Sequence, residues 1–279
     1  MRRTLIIGGD SNIGRYFREQ HKEVAFTSRR SNAELFLDLS DPNSFEGVFK
    51  TIKEKKISSV IFLAAITKIA DCENKPERSH KLNVENTCIL IKELHNLGCF
   101  TVFISTNHIF DCKSPKMAVN SPKKPFSIYG QHKLEVEEYI IQHCLNVAIL
   151  RPTKILTPCF SLVNAMLRDL KNGIQFEAFD DHFFSPVSIN FFCDCLTEIL
   201  LSKKTGVYQI SGENDLSYYT FLREVAIINN LDPKLVIPIK AESKQVIAAN
   251  YGSLKPKWFN DSMSGTQSAL ETVKLFYNG

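Results

Sequence analysis

The chain has 279 residues, 44% of them hydrophobic and 23% charged, with a net charge of only +4. This is ordinary globular composition with ample material for a buried core, and it excludes a disordered chain. The basic pairs Arg2-Arg3, Arg29-Arg30, Lys123-Lys124 and Lys203-Lys204 are short and scattered, which argues against a nucleic-acid partner, and no stretch approaches the roughly 20 apolar residues needed to cross a bilayer.

From the N-terminus, "TLIIG" reads as a short apolar strand and Ile13 to Gln20 as a helix that starts at once after a glycine turn. The run "MRRTLIIGG" is too short and too soon broken by glycine to be a secretory signal, so the expectation is a cytoplasmic protein. "EVAFTS" is a second strand. "DPNSFEGVFKTIKEKK" opens on an Asp-Pro cap and continues as an amphipathic helix, and "SSVIFLAA" is a third strand. A long helix follows from Pro76 to about Leu97, stopped by Gly98, then a strand "FTVFIS", a helix "HKLEVEEYIIQHC" and a strand "NVAILRP". This alternation, with strands apolar on both faces, predicts an α/β fold with a doubly wound parallel sheet of the Rossmann kind over residues 1–152. Residues 153–279 alternate less regularly and read as a smaller α/β lobe for substrate, with some elements returning to the main domain. Its pieces are a helix in "CFSLVNAMLRDLKNG", a short extended piece and helix in "FFSPVSINFFCDCLTEILLSKK", a strand "GVYQISG", and helices in "SYYTFLREVAIINN" and "GTQSALETVKLFYN"; Met166 and the phenylalanines are expected in its core.

Eight cysteines are spread through the chain without a CxxC pair, which predicts reduced thiols. Cys193-Asp194-Cys195 has no second ligand pair at zinc spacing, so no metal is expected.

The glycine turn reads G-x-S-x-x-G from Gly9, or G-x-x-S-x-x-G from Gly8, with Ser11 in the place of a central glycine. Such a turn between a first strand and a first helix brings backbone N–H groups and the helix dipole to a pyrophosphate, which nominates Gly8, Ser11, Asn12, Ile13 and Gly14. The second strand ends in Ser28, Arg29 and Arg30, where an acidic residue would mark the ribose 2′-hydroxyl of NAD. Guanidinium groups suit a 2′-phosphate, so NADP(H) is favoured and NAD(H) stays open.

A second motif is Tyr129 and Lys133, four apart at the mouth of a helix and so on one face. An ammonium beside a phenol lowers the phenol's pKa, and bringing it from about 10 to near neutrality requires about 4 kcal/mol of differential stabilisation. Ser105-Thr106 ends the fourth strand at the same carboxyl edge, where open α/β sheets bind ligands. Thr106 can hold a substrate oxygen and Tyr129 protonate it, which suits hydride transfer to a carbonyl.

With these motifs stand "LDLSDPNSF", "VIFLAAITKIADCENKPERSHKLNVENT", "FISTNHIFD", "ILRPTKI", "DDHFFSPVSI" and "GVYQISGENDLSYYTFLREVA". Together they resemble the extended short-chain dehydrogenase/reductase family, in the branch of the dTDP-4-dehydrorhamnose reductases, up to about Asn230. The resemblance implies Thr106, Tyr129 and Lys133 as the catalytic trio. It puts Asp38 and Leu39 near adenine, Ala64 and Ala65 along the cofactor, and Asn83 as a brace of the fourth-strand edge. On the substrate side it implies Asn107, Arg151, Lys154, His182, Ser185 and Val187 near a nucleotide sugar. It also implies a homodimer through the Pro76–Leu97 and Tyr129 helices.

Lys154 falls where these reductases place a tryptophan, which suggests a different sugar or an added anionic group. Asn107 cannot titrate, whereas epimerase/reductases similar to GDP-fucose synthase carry a titratable cysteine there, so simple 4-keto reduction in surface polysaccharide synthesis is favoured. His182 keeps combined epimerisation and reduction open. A third reading is a non-catalytic NADP-binding regulatory subunit, because the regulatory subunit of methionine adenosyltransferase resembles the same branch.

Overall fold

The computed structural model describes residues 1, 3–30, 32–158, 160–246, 249–258, 265–268 and 271–274. Arg2, Cys159 and six of the fourteen residues of the predicted C-terminal helix lie outside them. The elements in chain order begin with β1 (Thr4–Ile7), α1 (Asn12–Gln20), β2 (Ala25–Phe26), α2 (Phe45–Glu54) and β3 (Ser59–Phe62). Next come α3 (Ile69–Asn74), α4 (Pro76–His80), a π-helical segment (Lys81–Asn86), α5 (Thr87–Asn96), β4 (Phe100–Ile104), α6 (Ile128–His143) and β5 (Val147–Pro152). The later elements are β6 (Lys154–Leu156), α7 (Ser161–Lys171), β7 (Phe176–Phe179), β8 (Phe183–Phe184), β9 (Pro186–Ser188) and α8 (Ile189–Ser202). They end with β10 (Gly206–Gly212), β11 (Leu216–Ser217), α9 (Tyr218–Ile228), β12 (Val236–Ile239) and β13 (Thr266–Gln267).

The sheet is a parallel, seven-stranded one in the order β13-β10-β5-β4-β3-β1-β2. The order reverses between β1 and β3, so the loops after these two strands diverge at their carboxyl ends and leave a crevice. Every residue of β1, β3, β4 and β5 is buried, the pattern of strands covered on both faces. On one face Leu5, Ile7, Val60, Phe62 and Phe103 pack with Val48 and Ile52 of α2, Leu90 and Leu94 of α5, and Val136 and Ile140 of α6.

The chain divides into two compact units. The first comprises residues 1–110, 122–151 and 193–208, and the second residues 111–121, 152–192 and 209–279. The second has its own core of Val163, Met166, Leu170, Phe184, Phe221 and Val225, as expected for Met166. Three small pairings decorate it: β6 with β9 and β7 with β12 in parallel, β8 with β11 antiparallel.

Two predicted elements differ. The Pro76–Leu97 helix is one helical run interrupted by the π segment, which lets Leu82, Asn83, Val84 and Asn86 all be buried. Within "GTQSALETVKLFYN", Thr266 and Gln267 form an edge strand on β10, because their backbone continues the ladder at Ser211 and Gly212.

Candidate functional site

Ser11 is the N-cap of α1, with extended backbone and its Oγ accepting the Gly14 N–H at 3.0 Å. The Arg15 N–H bonds the Ser11 carbonyl at 2.8 Å. Of the four N–H groups that the helix cannot satisfy internally, Ser11 N–H bonds the Gly8 carbonyl at 3.1 Å and Gly14 N–H the Ser11 hydroxyl, which leaves those of Asn12 and Ile13. Gly8 has φ +89°, and a Cβ there would lie 2.8 Å from the Ala64 nitrogen. A Cβ on Gly14 would stand 2.8 Å from the Gly8 and Gly9 carbonyl oxygens. Both positions therefore require glycine, one for its left-handed backbone and both for close approach. The serine between them is a cap that the turn tolerates.

The turn is one wall of a cleft of about 1090 Å³ within the first unit. Ser28, Arg29, Arg30, Asp38 and Leu39 from the loops after β2 form another wall, and Ala64, Ala65 and Ile66 after β3 a third. Six cations line it: Arg15, Arg29, Arg30, Lys68, Lys75 and Arg78, against Asp10, Asp38 and Asp71. The Ser28 hydroxyl donates to Asp10 and accepts the Arg30 N–H at 3.1 Å, which fixes the arginine loop against the glycine turn. Asp38 accepts the Ser40 N–H at 2.9 Å and hydroxyl at 2.8 Å. These bonds, the backbone one foremost, hold its carboxyl below the usual range, and the charges of Arg29 and Arg78 add to the effect. A glycine cradle, free N–H groups and an excess of cations fit a dinucleotide.

Two asparagines of the π segment secure opposite margins of this cleft. Asn83 accepts the Ile66 N–H at 2.8 Å and donates to the Ile66 carbonyl at 2.9 Å. Asn86 donates to the Leu39 carbonyl at 2.6 Å. The expectation that Asn83 braces the fourth-strand edge is corrected: it braces the loop after β3, because the π turn aims both asparagines at loops rather than at the sheet.

At the end of β4, Thr106 caps a short 3₁₀ turn, Asn107–Ile109, by accepting the His108 N–H at 3.2 Å. The first turn of α6 packs onto it, capped by Ser127. Gly130 permits this, since a Cβ there would overlap the His108 carbonyl. The result brings the Thr106 hydroxyl close enough to the Tyr129 phenol to favour its ionised form. Thr106 also approaches Asn107 Oδ1 at 3.4 Å. One turn further, the buried Lys133 donates from Nζ to the Ile104 carbonyl at 2.8 Å and lies 4.5 Å from the Phe103 ring centre.

The electrostatics differ from the expected pairing. Burial raises the Tyr129 phenol above its usual value, with Cys72 adding to the rise and the Thr106 hydroxyl opposing it. Burial likewise lowers the Lys133 ammonium to about 8, with Glu137 acting the other way. Lys133 does not depress Tyr129 here, because its head is directed to the β4 backbone and the loss of water outweighs what charge it carries. None of the trio lines the cleft.

Arg151 is not a substrate group. It is 1% exposed, and its Nε and Nη2 reach both oxygens of the fully buried Glu137 at 2.6–3.2 Å. Within the second unit, Ser185 and Val187 are also buried. Val187 lies in the β6–β9 ladder, and the Ser185 hydroxyl donates to the Asn214 carbonyl at 3.1 Å. Both therefore serve packing, contrary to expectation. Lys154 is exposed, with Nζ 5.1 Å from the Phe160 ring centre. His182 stacks on Phe179 and meets Tyr218 edge-on, and burial lowers its pKa. Sequence reasoning missed Arg15, Lys68, Lys75, Arg78, Asn86, Gly130 and Glu137. Only Gly130, between Tyr129 and the helix it opens, carried a local signal.

Comparison with known proteins agrees with this architecture. The methionine adenosyltransferase 2 subunit beta of Xenopus tropicalis is 27% identical over 258 residues, covering 86% of this chain and 76% of that one. A crystal structure of a dTDP-4-dehydrorhamnose reductase from Clostridium acetobutylicum superposes with a TM-score of 0.86 at 24% identity, covering 98% of this chain and 97% of that one. A dTDP-4-dehydrorhamnose reductase from Bacillus anthracis, solved in complex with NADP, also gives 0.86, at 19% identity and 98% coverage of both chains. The family model of the RmlD substrate binding domain matches residues 1–254, and the chain belongs to that family.

Proposed function

We propose that the chain reduces the 4-keto group of a nucleotide-linked deoxy sugar with NADPH, in the cytoplasm and in the service of surface polysaccharide synthesis. The observation that carries this reading is the cation-lined cleft around the glycine turn, with Thr106 and Tyr129 beside the carboxyl end of β4, one strand along from it. Bound in the cleft, NADPH supplies a hydride. The Asn12 and Ile13 N–H groups hold its pyrophosphate, Arg29 and Arg30 its 2′-phosphate, and Ala64 and Ala65 flank it. Tyr129 donates its proton to the sugar oxygen, and a phenol held above its usual pKa still carries that proton at neutral pH. Thr106 holds the same oxygen. Lys133 spends one N–H on Ile104 and has others for the nicotinamide ribose. Residues 153–279 bind the nucleotide sugar, with Lys154 and His182 as contacts, in a homodimeric protein.

The test is to follow loss of reduced-nicotinamide absorbance with NADPH, then NADH, against dTDP-, UDP-, GDP- and CDP-linked 4-keto-6-deoxy sugars. Oxidation by the wild type that Tyr129→Phe abolishes, with NADPH binding retained, supports a reductase. A second reading, a non-catalytic NADP-binding regulatory subunit, is favoured by the kinship to methionine adenosyltransferase 2 subunit beta. It predicts NADPH binding without turnover, and binding to a methionine adenosyltransferase that Tyr129→Phe leaves unchanged.

A further inference from the structure

The arginines after β2 are not the sole cations at their end of the cleft. Arg78 projects from α4, an element of another wall, and lines the same cleft as Arg29, Arg30 and Asp38. Its backbone is fixed: Pro76 opens α4, and the buried Ser79 hydroxyl bonds the Pro76 carbonyl at 3.0 Å and the Cys72 carbonyl at 3.4 Å. Its side chain is exposed and forms no ion pair among the described residues, whereas Arg30 Nε stands 3.8 Å from Asp10. Asp38 has committed an oxygen to Ser40 and carries a negative charge on which both Arg29 and Arg78 act. A guanidinium without an ion pair, next to a carboxylate already hydrogen-bonded elsewhere and across a cleft from a second such guanidinium, is suited to a dianion between them.

We infer that Arg78 is a specificity-determining residue that engages the 2′-phosphate of NADP(H) together with Arg29, so that the phosphate is held from two walls of the cleft. This rests on the coenzyme reading above. The arrangement makes coenzyme choice depend on α4 as well as on the loop after β2. It also ties that choice to the π segment, which joins α4 to α5.

The experiment is calorimetric titration of the full chain with NADPH, NADH, 2′,5′-ADP and 5′-ADP, for wild type, Arg78→Met, Arg78→Lys and Arg29→Met. The expected result is wild-type preference for NADPH and 2′,5′-ADP. Arg78→Met weakens these two by about five- to tenfold and leaves NADH and 5′-ADP within about twofold, while Arg78→Lys recovers part of the loss. A wild type that prefers NADPH and an Arg78→Met variant that keeps the full preference overturn the role of Arg78 and leave the coenzyme reading standing. A wild type that binds NADH as tightly as NADPH overturns both. Equal weakening of all four ligands by Arg78→Met overturns the phosphate contact in favour of a structural effect.

Discussion

Replacing Arg151 by methionine removes one half of an ion pair whose members are 1% and 0% exposed. The Glu137 carboxylate then keeps its burial and loses the guanidinium that reaches both of its oxygens. Breaking such a pair from one side costs about 3–5 kcal/mol, since the remaining charge has no water to return to. With an unfolding entropy of about 2.1 cal/mol/K per residue, a chain of this length changes by about 0.6 kcal/mol per degree near its midpoint. The expected fall in Tm is therefore about 5–9 °C, read by differential scanning calorimetry. Glu137→Gln should cost a comparable amount, and the double change Arg151→Met with Glu137→Leu should recover most of the loss, because an apolar pair of similar volume needs no compensation. If Arg151 contacted substrate instead, Arg151→Met would leave Tm within about 2 °C and raise KM more than tenfold. That outcome would refute the assignment of Arg151 to the core.

Lys133 gives stability a pH dependence of definite sign. Its folded pKa is lowered to about 8 from 10.5, so between those values the unfolded chain binds the proton and the folded chain does not. Stability contributed by this site rises with pH across that window and is flat below it. Wild type should gain relative to Lys133→Met in urea midpoints compared at pH 7 and pH 9.5; a difference that stays constant between the two contradicts the burial of a titrating amine. In the glycine turn, Ser11→Ala should cost about 1 kcal/mol through loss of the cap and Ser11→Gly only a few tenths, measured by the same midpoints. Gly8→Ala must adopt φ +89° against Ala64, and should cost about 1–3 kcal/mol and abolish NADPH binding in calorimetry; unchanged binding would show that the turn does not hold the coenzyme.

The sheet was legible because β1, β3, β4 and β5 are predominantly apolar on both faces and alternate with amphipathic helices, so local pattern and global fold agree. The glycine turn and the Tyr129–Lys133 spacing were legible because each is local, the first within one strand-to-helix turn and the second within one helix. What sequence could not supply were contacts across long separations. Glu137 lies fourteen residues before Arg151 on a different element, and nothing local distinguishes a buried guanidinium from one that meets a ligand. Asn86 acts on Leu39, 47 residues away. Lys133 faces the β4 backbone rather than Tyr129, a matter of rotamer and of water exclusion that helical spacing does not encode.

The π segment has a consequence for how the helix can vary. A π turn holds one residue more than an α turn, and each helical residue advances about 100° around the axis. Deleting a single residue from Lys81–Asn86 would let the run from Pro76 to Asn96 close into uninterrupted α-helix with α4 and α5 kept in phase, whereas winding the same run as α-helix with every residue retained would rotate α4 by about 100° relative to α5. In the second case Ser79 would leave the interior and Arg78 would swing off the cleft, although neither residue had changed. The wide turn thus acts as a phase keeper for the helix: it takes up the extra residue, so that Arg78 of α4 stays on the cleft while α5 keeps its apolar face on the sheet.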